Sequence, residues 1–375
     1  LAVAMFLGSF AWGFVFISLP FHVQAISTVD PASTLRWTGW IVGITSLVTV
    51  LTGPAWGRFA AGGDPKAYWV IVQLLQGFGF CGMAVARTLL ELFVARVVLG
   101  FMGAASTLAF ILAGREPDPA EVRRQIAGVQ AAMTLGQVIG PLGGAVAASR
   151  LGFRASFVLG GAILAGSAAV VHWGVTSSPP SAPALAPERR AAPRDVARAF
   201  LIILAGSMQL FFLTAVLPQI LTDLGVAADR TVEVGGVVVF AAAAAAALGS
   251  LVTPRLGALG SDRALLAGLL VASAAGLAVL GAMPSVWPFT LVRFLQVLCI
   301  APVFPLVVSR IAQQAGGGTI GTVNSARIAG SFVGPVVATT ILAAASPAVL
   351  YVLLAAVGLA CVPLALRRVP GSPAT

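Results

Sequence analysis

The chain has 375 residues, 59% of them hydrophobic and only 9% charged, whereas an ordinary soluble domain carries about 25% charged residues. That balance excludes a water-soluble fold. The formal charge of +10 does not point to nucleic acid either, because the arginines sit in short loops between apolar stretches and not along one basic soluble face.

The chain opens at Leu1 already inside an apolar segment, with no basic leader and no small-residue cleavage site after it. The first segment is therefore read as a retained span, trimmed at its start. Hydropathy and helix breakers predict spans at 1–26, 35–57, 67–87, 89–113, 125–149 and 155–175, then at 199–222, 232–254, 264–283, 286–309, 321–343 and 347–367. Each is near the roughly 20 residues that a helix needs to cross the hydrocarbon core. Between the two sets, residues 176–198 begin Pro/Ala/Ser-rich and continue with Glu188-Arg189-Arg190 and Arg194-Asp195, which no span could contain. The expected fold is an all-α polytopic membrane protein of twelve helices, divided into an N-terminal six-helix bundle (1–175), a cytoplasmic linker (176–198) and a C-terminal six-helix bundle (199–375).

Cytoplasmic loops retain the positive charges. Alternate loops hold fourteen of the 22 Lys and Arg residues, among them Arg58, Lys66, Arg115, Arg123 and Arg124, while the opposite loops hold five: Arg36, Arg87, Arg150, Arg154 and Arg230. Both termini are thus expected in the cytoplasm, with the protein in a bacterial cytoplasmic (inner) membrane and the lipid bilayer as its constant partner. Cys81, Cys299 and Cys361 each lie alone in a different span and are read as small core residues. No metal spacing and no cofactor motif occurs. Gly316-Gly317-Gly318 is a turn signal, since it lacks the Lys and the strand-to-helix setting of a phosphate loop.

Polar and aromatic groups inside spans carry most of the functional signal, because they are expensive there and tend to point inward. In the first span Trp12 and Phe16 share a face, and His22, about one turn from the outer end, is a candidate proton site. The next loop reads Gly53-Pro54-Ala55-Trp56-Gly57-Arg58-Phe59-Ala60, followed by Ala61-Gly62-Gly63-Asp64-Pro65-Lys66. The fourth span contains Arg96, with Gly100 and Gly103 four and seven residues on. Arg96 should face protein or a watery cavity; snorkelling or pairing with Glu91 is the alternative. The fifth span carries Gln130 and then Gly136-Gln137-Val138-Ile139-Gly140-Pro141-Leu142-Gly143-Gly144, where proline bends the helix and glycines allow tight packing beside the bend. In the second half Gln209 and Phe212 share a face, Arg293 lies within a span, and Asn324, Arg327 and Ser331 fall at i, i+3 and i+7. Trp12, Phe16, Gln130, Gln209, Phe212, Arg293, Asn324 and Arg327 form the candidate substrate cavity, suited to a bulky apolar or aromatic small molecule.

The halves also match each other. Gly8-Ser9 and Leu19-Pro20 recur as Gly206-Ser207 and Leu217-Pro218, 198 residues on; Arg58 and Arg255, like Arg96 and Arg293, are 197 apart; Gly136, Gly140 and Pro141 return as Gly330, Gly334 and Pro335, 194 on. Two related bundles can rock about a shared site, which is alternating access in its simplest form.

These runs resemble the major facilitator superfamily, and more narrowly its twelve-span drug/proton antiporter branch. The Gly53 to Ala60 stretch resembles the start of the family's gating-loop motif. It departs at Ala61, where the family usually has Asp, and Asp64 is a shifted candidate for the acidic role. Arg96 with Gly100 and Gly103 is similar to the fourth-span motif, and Gly136 to Gly144 to the antiporter signature, which in that family marks exporters. The resemblance implies efflux of hydrophobic or amphipathic molecules by a monomer, with protons as the candidate coupling partner. Against proton coupling, no Asp or Glu lies near the middle of any span. A facilitator or exchanger for a small, anionic metabolite, held by Arg96, Arg293 or Arg327, therefore stays open, whereas nothing in the sequence supports an enzyme.

Overall fold

A bilayer interior offers no water to the peptide backbone, so long apolar segments close their hydrogen bonds internally as helices. The computed structural model describes residues 1–116, 118–175, 192–256, 262–312 and 317–367, and among these fifteen helices follow one another. The first seven are α1 (Ala2–Ile26), α2 (Pro31–Gly62), α3 (Pro65–Val85), α4 (Leu89–Phe101), α5 (Ala105–Ala113), α6 (Pro119–Leu151) and α7 (Phe153–Gly174). Then come α8 (Pro193–Asp223), α9 (Thr231–Leu256), α10 (Asp262–Leu280), α11 (Val286–Ile300), α12 (Val303–Ala312), α13 (Gly317–Leu342), α14 (Pro347–Ala360) and α15 (Val362–Leu366). They make twelve helical stretches long and apolar enough to span a membrane, because α4 with α5, α11 with α12, and α14 with α15 each share one.

The ends are set by local chemistry. Asp64 caps α3 by accepting from the Lys66 amide at 3.0 Å, and Asp118 caps α6 by accepting from Ala120 at 2.9 Å. At the start of α4 the Thr88 hydroxyl accepts from the Glu91 amide, while the Glu91 carboxylate accepts from the Arg87 amide at 2.7 Å. The turn between α6 and α7 is one residue, Gly152, at φ +82°, a left-handed conformation that glycine adopts without a Cβ penalty.

Three boundaries differ from the sequence reading. The stretch from Gly53 to Ala60 is not a loop: α2 continues through it to Gly62, and the connection to α3 shrinks to Gly63 and Asp64. The linker expected over 176–198 gives way to helix at Pro193, which sits in the first turn where its missing N–H is harmless; residues 176–191 lie outside the described part. The fourth span is interrupted between Phe101 and Ala105, where the backbone turns twice before α5 begins.

Contacts group the chain into two units. One comprises Leu1–Asp30, Trp40–Ala184 and Ala228–Phe240, the other Pro31–Gly39, Leu185–Ala227 and Ala241–Thr375. Each unit thus takes in a short stretch that sequence order alone assigns elsewhere. In the first unit α1 packs against α6 and α7, and α3 against α7, around a core that includes Met5, Trp69, Val72, Leu108 and Val171. In the second, α8 packs against α13, and α10 against α11 and α14, around Ile202, Ile203, Leu270, Val303 and Val307. Outward faces are apolar as well: Leu51, Phe78 and Trp173 are 71%, 72% and 81% exposed. Such faces are stable only when hydrocarbon covers them.

In the second unit Gly330 and Gly334 bring α13 onto the backbone of α8, so that a Cβ at Gly334 would lie 2.9 Å from the Met208 carbonyl oxygen. Gly334→Val is expected to destabilise the protein by about 1–3 kcal/mol through overpacking, whereas Gly166→Ala, with nothing within 4 Å of the new carbon, should be neutral. Thermal melting of the detergent-solubilised chain checks both; equal melting temperatures for the two variants would contradict the seam.

Candidate functional site

In the first unit the polar groups gather where the fourth span breaks. Arg96 is 2% exposed, and its Nε and Nη2 donate to the Ile41 and Val42 carbonyls of α2, each at 3.0 Å. Glu91 takes no part, so the buried reading of Arg96 holds and the pairing with Glu91 does not. Its guanidinium also lies 5.6 Å from the Trp12 ring. Four carbonyls around the break receive side-chain donors: Thr45 donates to Arg96 O, Thr49 to Gly100 O, Trp56 Nε1 to Phe101 O at 2.6 Å and Gln76 Nε2 to Met102 O at 2.5 Å. Gln76 Oε1 in turn accepts from Trp12 Nε1 at 3.0 Å. One amide therefore joins α1, α3 and the broken span. Gly100 and Gly103 make room for this, since a Cβ on either would strike Val48 or Thr49 of α2.

The Gly136 to Gly144 run forms a second feature of this unit. Cβ atoms at Gly136 and Gly140 would fall 2.7 Å and 2.6 Å from the carbonyl oxygens of Phe6 and Phe10, one at Gly144 would collide with the Phe14 carbonyl, and one at Gly143 would touch the Phe10 ring. Residues 136, 140 and 144 repeat every four positions, so α6 lays one small-residue ridge along the backbone of α1. From the other side a Cβ at Gly13 would lie 3.1 Å from the Pro141 ring, so the proline lies within the crossing.

Other predicted residues stand apart. Gly53 and Gly57 have open space around them, Arg58 is exposed and without an ion pair among the described residues, and Asp64 serves as a helix cap. The four do not gather into one gating cluster. His22 is buried against the rings of Phe153 and Phe157, with centroids at 5.8 Å and 5.1 Å, and its Nε2 has no hydrogen-bond partner. Phe16 is half-buried, whereas Gln130 is exposed.

The second unit brings Gln209, Phe212 and Arg293 together, but as an enclosed core cluster. Arg293 is 1% exposed; its Nη1 donates to the Gln209 carbonyl and its Nη2 to that of Leu210, both at 2.9 Å, and Nη1 also donates to Gln296 Oε1. The Gln209 side chain donates to Leu354 O and accepts from Ser273 at 2.7 Å and from Gln296 at 3.3 Å. The Phe212 ring lies 4.8 Å from the Arg293 guanidinium and meets Tyr351 edge-on. Arg327 and Asn324 lie outside this cluster: Arg327 is half-buried over the Phe304 ring and Asn324 is exposed.

Sequence reasoning passed over Gln76, Ser273, Gln296, Tyr351 and Phe304. A usable signal existed for two of them, since Gln76 and Ser273 are 197 residues apart, the spacing that also relates Arg96 to Arg293. Both make a hydrogen bond to the opening helix of their set, Gln76 to Trp12 and Ser273 to Gln209.

Comparison with known proteins agrees with this architecture. The chain is 29% identical over 140 residues to the Staphyloferrin B transporter of Staphylococcus aureus, covering 36% of this chain and 33% of that protein. It is 24% identical over 164 residues to the multidrug resistance protein MdtG of Salmonella choleraesuis, covering 42% and 39%. The aligned stretches therefore span only a third to two fifths of these relatives. Among solved structures, the nucleoside transporter NupG superposes with a TM-score of 0.75 at 12% identity, over 97% of each chain, a likeness of fold alone. The sequence model of the Major Facilitator Superfamily matches residues 1–259. With twelve apolar helices, that shared architecture and a match over more than half its length, the chain belongs to the Major Facilitator Superfamily and is a multi-pass membrane transporter, not an enzyme.

Proposed function

We propose that the protein exports hydrophobic or amphipathic small molecules by alternating access of its two six-helix sets, acting as a monomer in a bacterial cytoplasmic membrane with both termini inside. The observation that carries this reading is the seam between α1 and α6. The glycine run around Pro141 resembles the signature of exporters, and here it brings two helix backbones into close approach at Gly136, Gly140 and Gly144, about one turn apart. A transporter that moves its cargo against a gradient must not leak. A crossing that leaves no room for a methyl group supports that requirement, because water and ions cannot pass where a Cβ cannot fit. The partial likeness to a multidrug resistance protein points the same way.

Trp12 and Phe16 are both half-buried on α1 and offer aromatic surface to an apolar substrate. Gln76 positions the first of these by fixing its indole N–H. The fourteen-to-five division of basic residues supports the orientation.

Expression in a bacterial host lacking its own efflux pumps is expected to lower retention of at least one dye from a panel that includes cationic and carboxylate members, such as ethidium and carboxyfluorescein, and to raise tolerance to toxic members of it. Unchanged retention and tolerance across a broad panel would remove the export reading. Gln76→Leu leaves the Trp12 indole and the Met102 carbonyl without their shared partner, so a loss of about 1–3 kcal/mol is expected, with a raised Michaelis constant for dye transport. A Gln76→Leu protein that melts and transports like the wild type would show that the bridge does not position Trp12.

A further inference from the structure

Arg96, Arg293 and Arg327 lie on membrane-spanning helices, and the first two are hydrogen-bonded within the fold: Arg96 through Nε and Nη2 to the carbonyls of α2, Arg293 through Nη1 and Nη2 to those of α8 and to Gln296, with its Nε left unpartnered. Arg327 differs. Its guanidinium carbon sits 4.9 Å from the centroid of Phe304, and it makes no hydrogen bond or ion pair with any described residue. A guanidinium packed on a ring keeps its N–H donors at its edge, pointing away from the ring.

Depth sharpens the point. Arg327 is the eleventh residue of α13, about 15 Å from the helix start at 1.5 Å per residue. Asn324, one turn earlier on the same face, is exposed, and its amide has no partner either. An arginine and an amide with unoccupied donors at membrane depth are stable only where water or a ligand meets them.

We infer that Arg327 and Asn324 are the anion-recognition point of the transporter, and that the transported molecule carries a carboxylate. The planar fork of an arginine matches the two oxygens of a carboxylate, and a single guanidinium balances a single negative charge. Phe304, whose ring orients the guanidinium, offers apolar contact to the rest of the molecule. This assignment rests on the proposed transport of amphipathic molecules and narrows it to organic acids.

Thermal-shift titration of the full chain in detergent, with decanoate, 1-naphthoate and 1-naphthylacetate each set against its primary amide, tests the assignment. At least one carboxylate is expected to stabilise the wild type at tenfold or more lower concentration than its amide. Arg327→Gln should abolish that preference and Arg327→Lys should keep part of it, while the ligand-free melting temperature of each variant reports folding. No carboxylate preference in the wild type, an unchanged preference in Arg327→Gln, or stronger stabilisation by 1-naphthyl phosphate than by 1-naphthoate would each overturn it. The transport reading fails separately: an Arg327-dependent carboxylate preference without export of carboxyfluorescein or of any other dye of the panel in cells would leave the anion site standing and remove export, and export of a cationic dye such as ethidium without the preference would do the reverse.

Discussion

The structure depends on one constraint: inside hydrocarbon, a polar group left without a partner is costly. That constraint explains the interruption of the fourth span. Breaking a helix frees backbone carbonyls, and at this depth no water replaces the lost bonds. Thr45, Thr49, Trp56 and Gln76 supply donors to Arg96, Gly100, Phe101 and Met102. The break is tolerated because two neighbouring helices, α2 and α3, reach into it, and Gln76 ties the aromatic surface of Trp12 to the same place.

Two arginines at matching positions in the repeat meet the constraint differently. Arg96 donates to two consecutive carbonyls of α2, whereas Arg293 donates to two consecutive carbonyls of α8 and to a glutamine. Each is neutralised by backbone dipoles and not by a carboxylate, so neither needs an acid within the spans. The two sets of helices therefore share a framework of small residues and prolines while their buried polar groups have been rewired. A duplicated scaffold with unequal interiors allows one half to differ from the other in what it recognises.

Much of the fold was legible from residues alone. Hydropathy located twelve spans, since the hydrocarbon thickness sets their length and any charge inside them is expensive. The repeated Gly-x-x-x-Gly-Pro pattern pointed to close helix crossings, and α1 with α6 and α8 with α13 form them. The candidate cavity was less legible. Gln209, Phe212 and Arg293 read as cavity residues because polar groups in spans point inward, but inward can mean toward packed protein as well as toward water. Gln76 and Gln296 were overlooked for a related reason: a single amide in a long apolar run gives no sign of which backbone carbonyl it will meet.

What the sequence determined by itself was the membrane, the number of crossings and the places where helices come close, because these follow from the solvent and from side-chain size. Tertiary structure decided which intramembrane arginines meet backbone carbonyls, as Arg96 and Arg293 do, and which, like Arg327, meets only a ring. Hydrogen-bond satisfaction depends on carbonyls contributed by helices distant in the chain, Ile41 and Val42 for Arg96, Gln209 and Leu210 for Arg293, and distance along the sequence carries no record of those encounters.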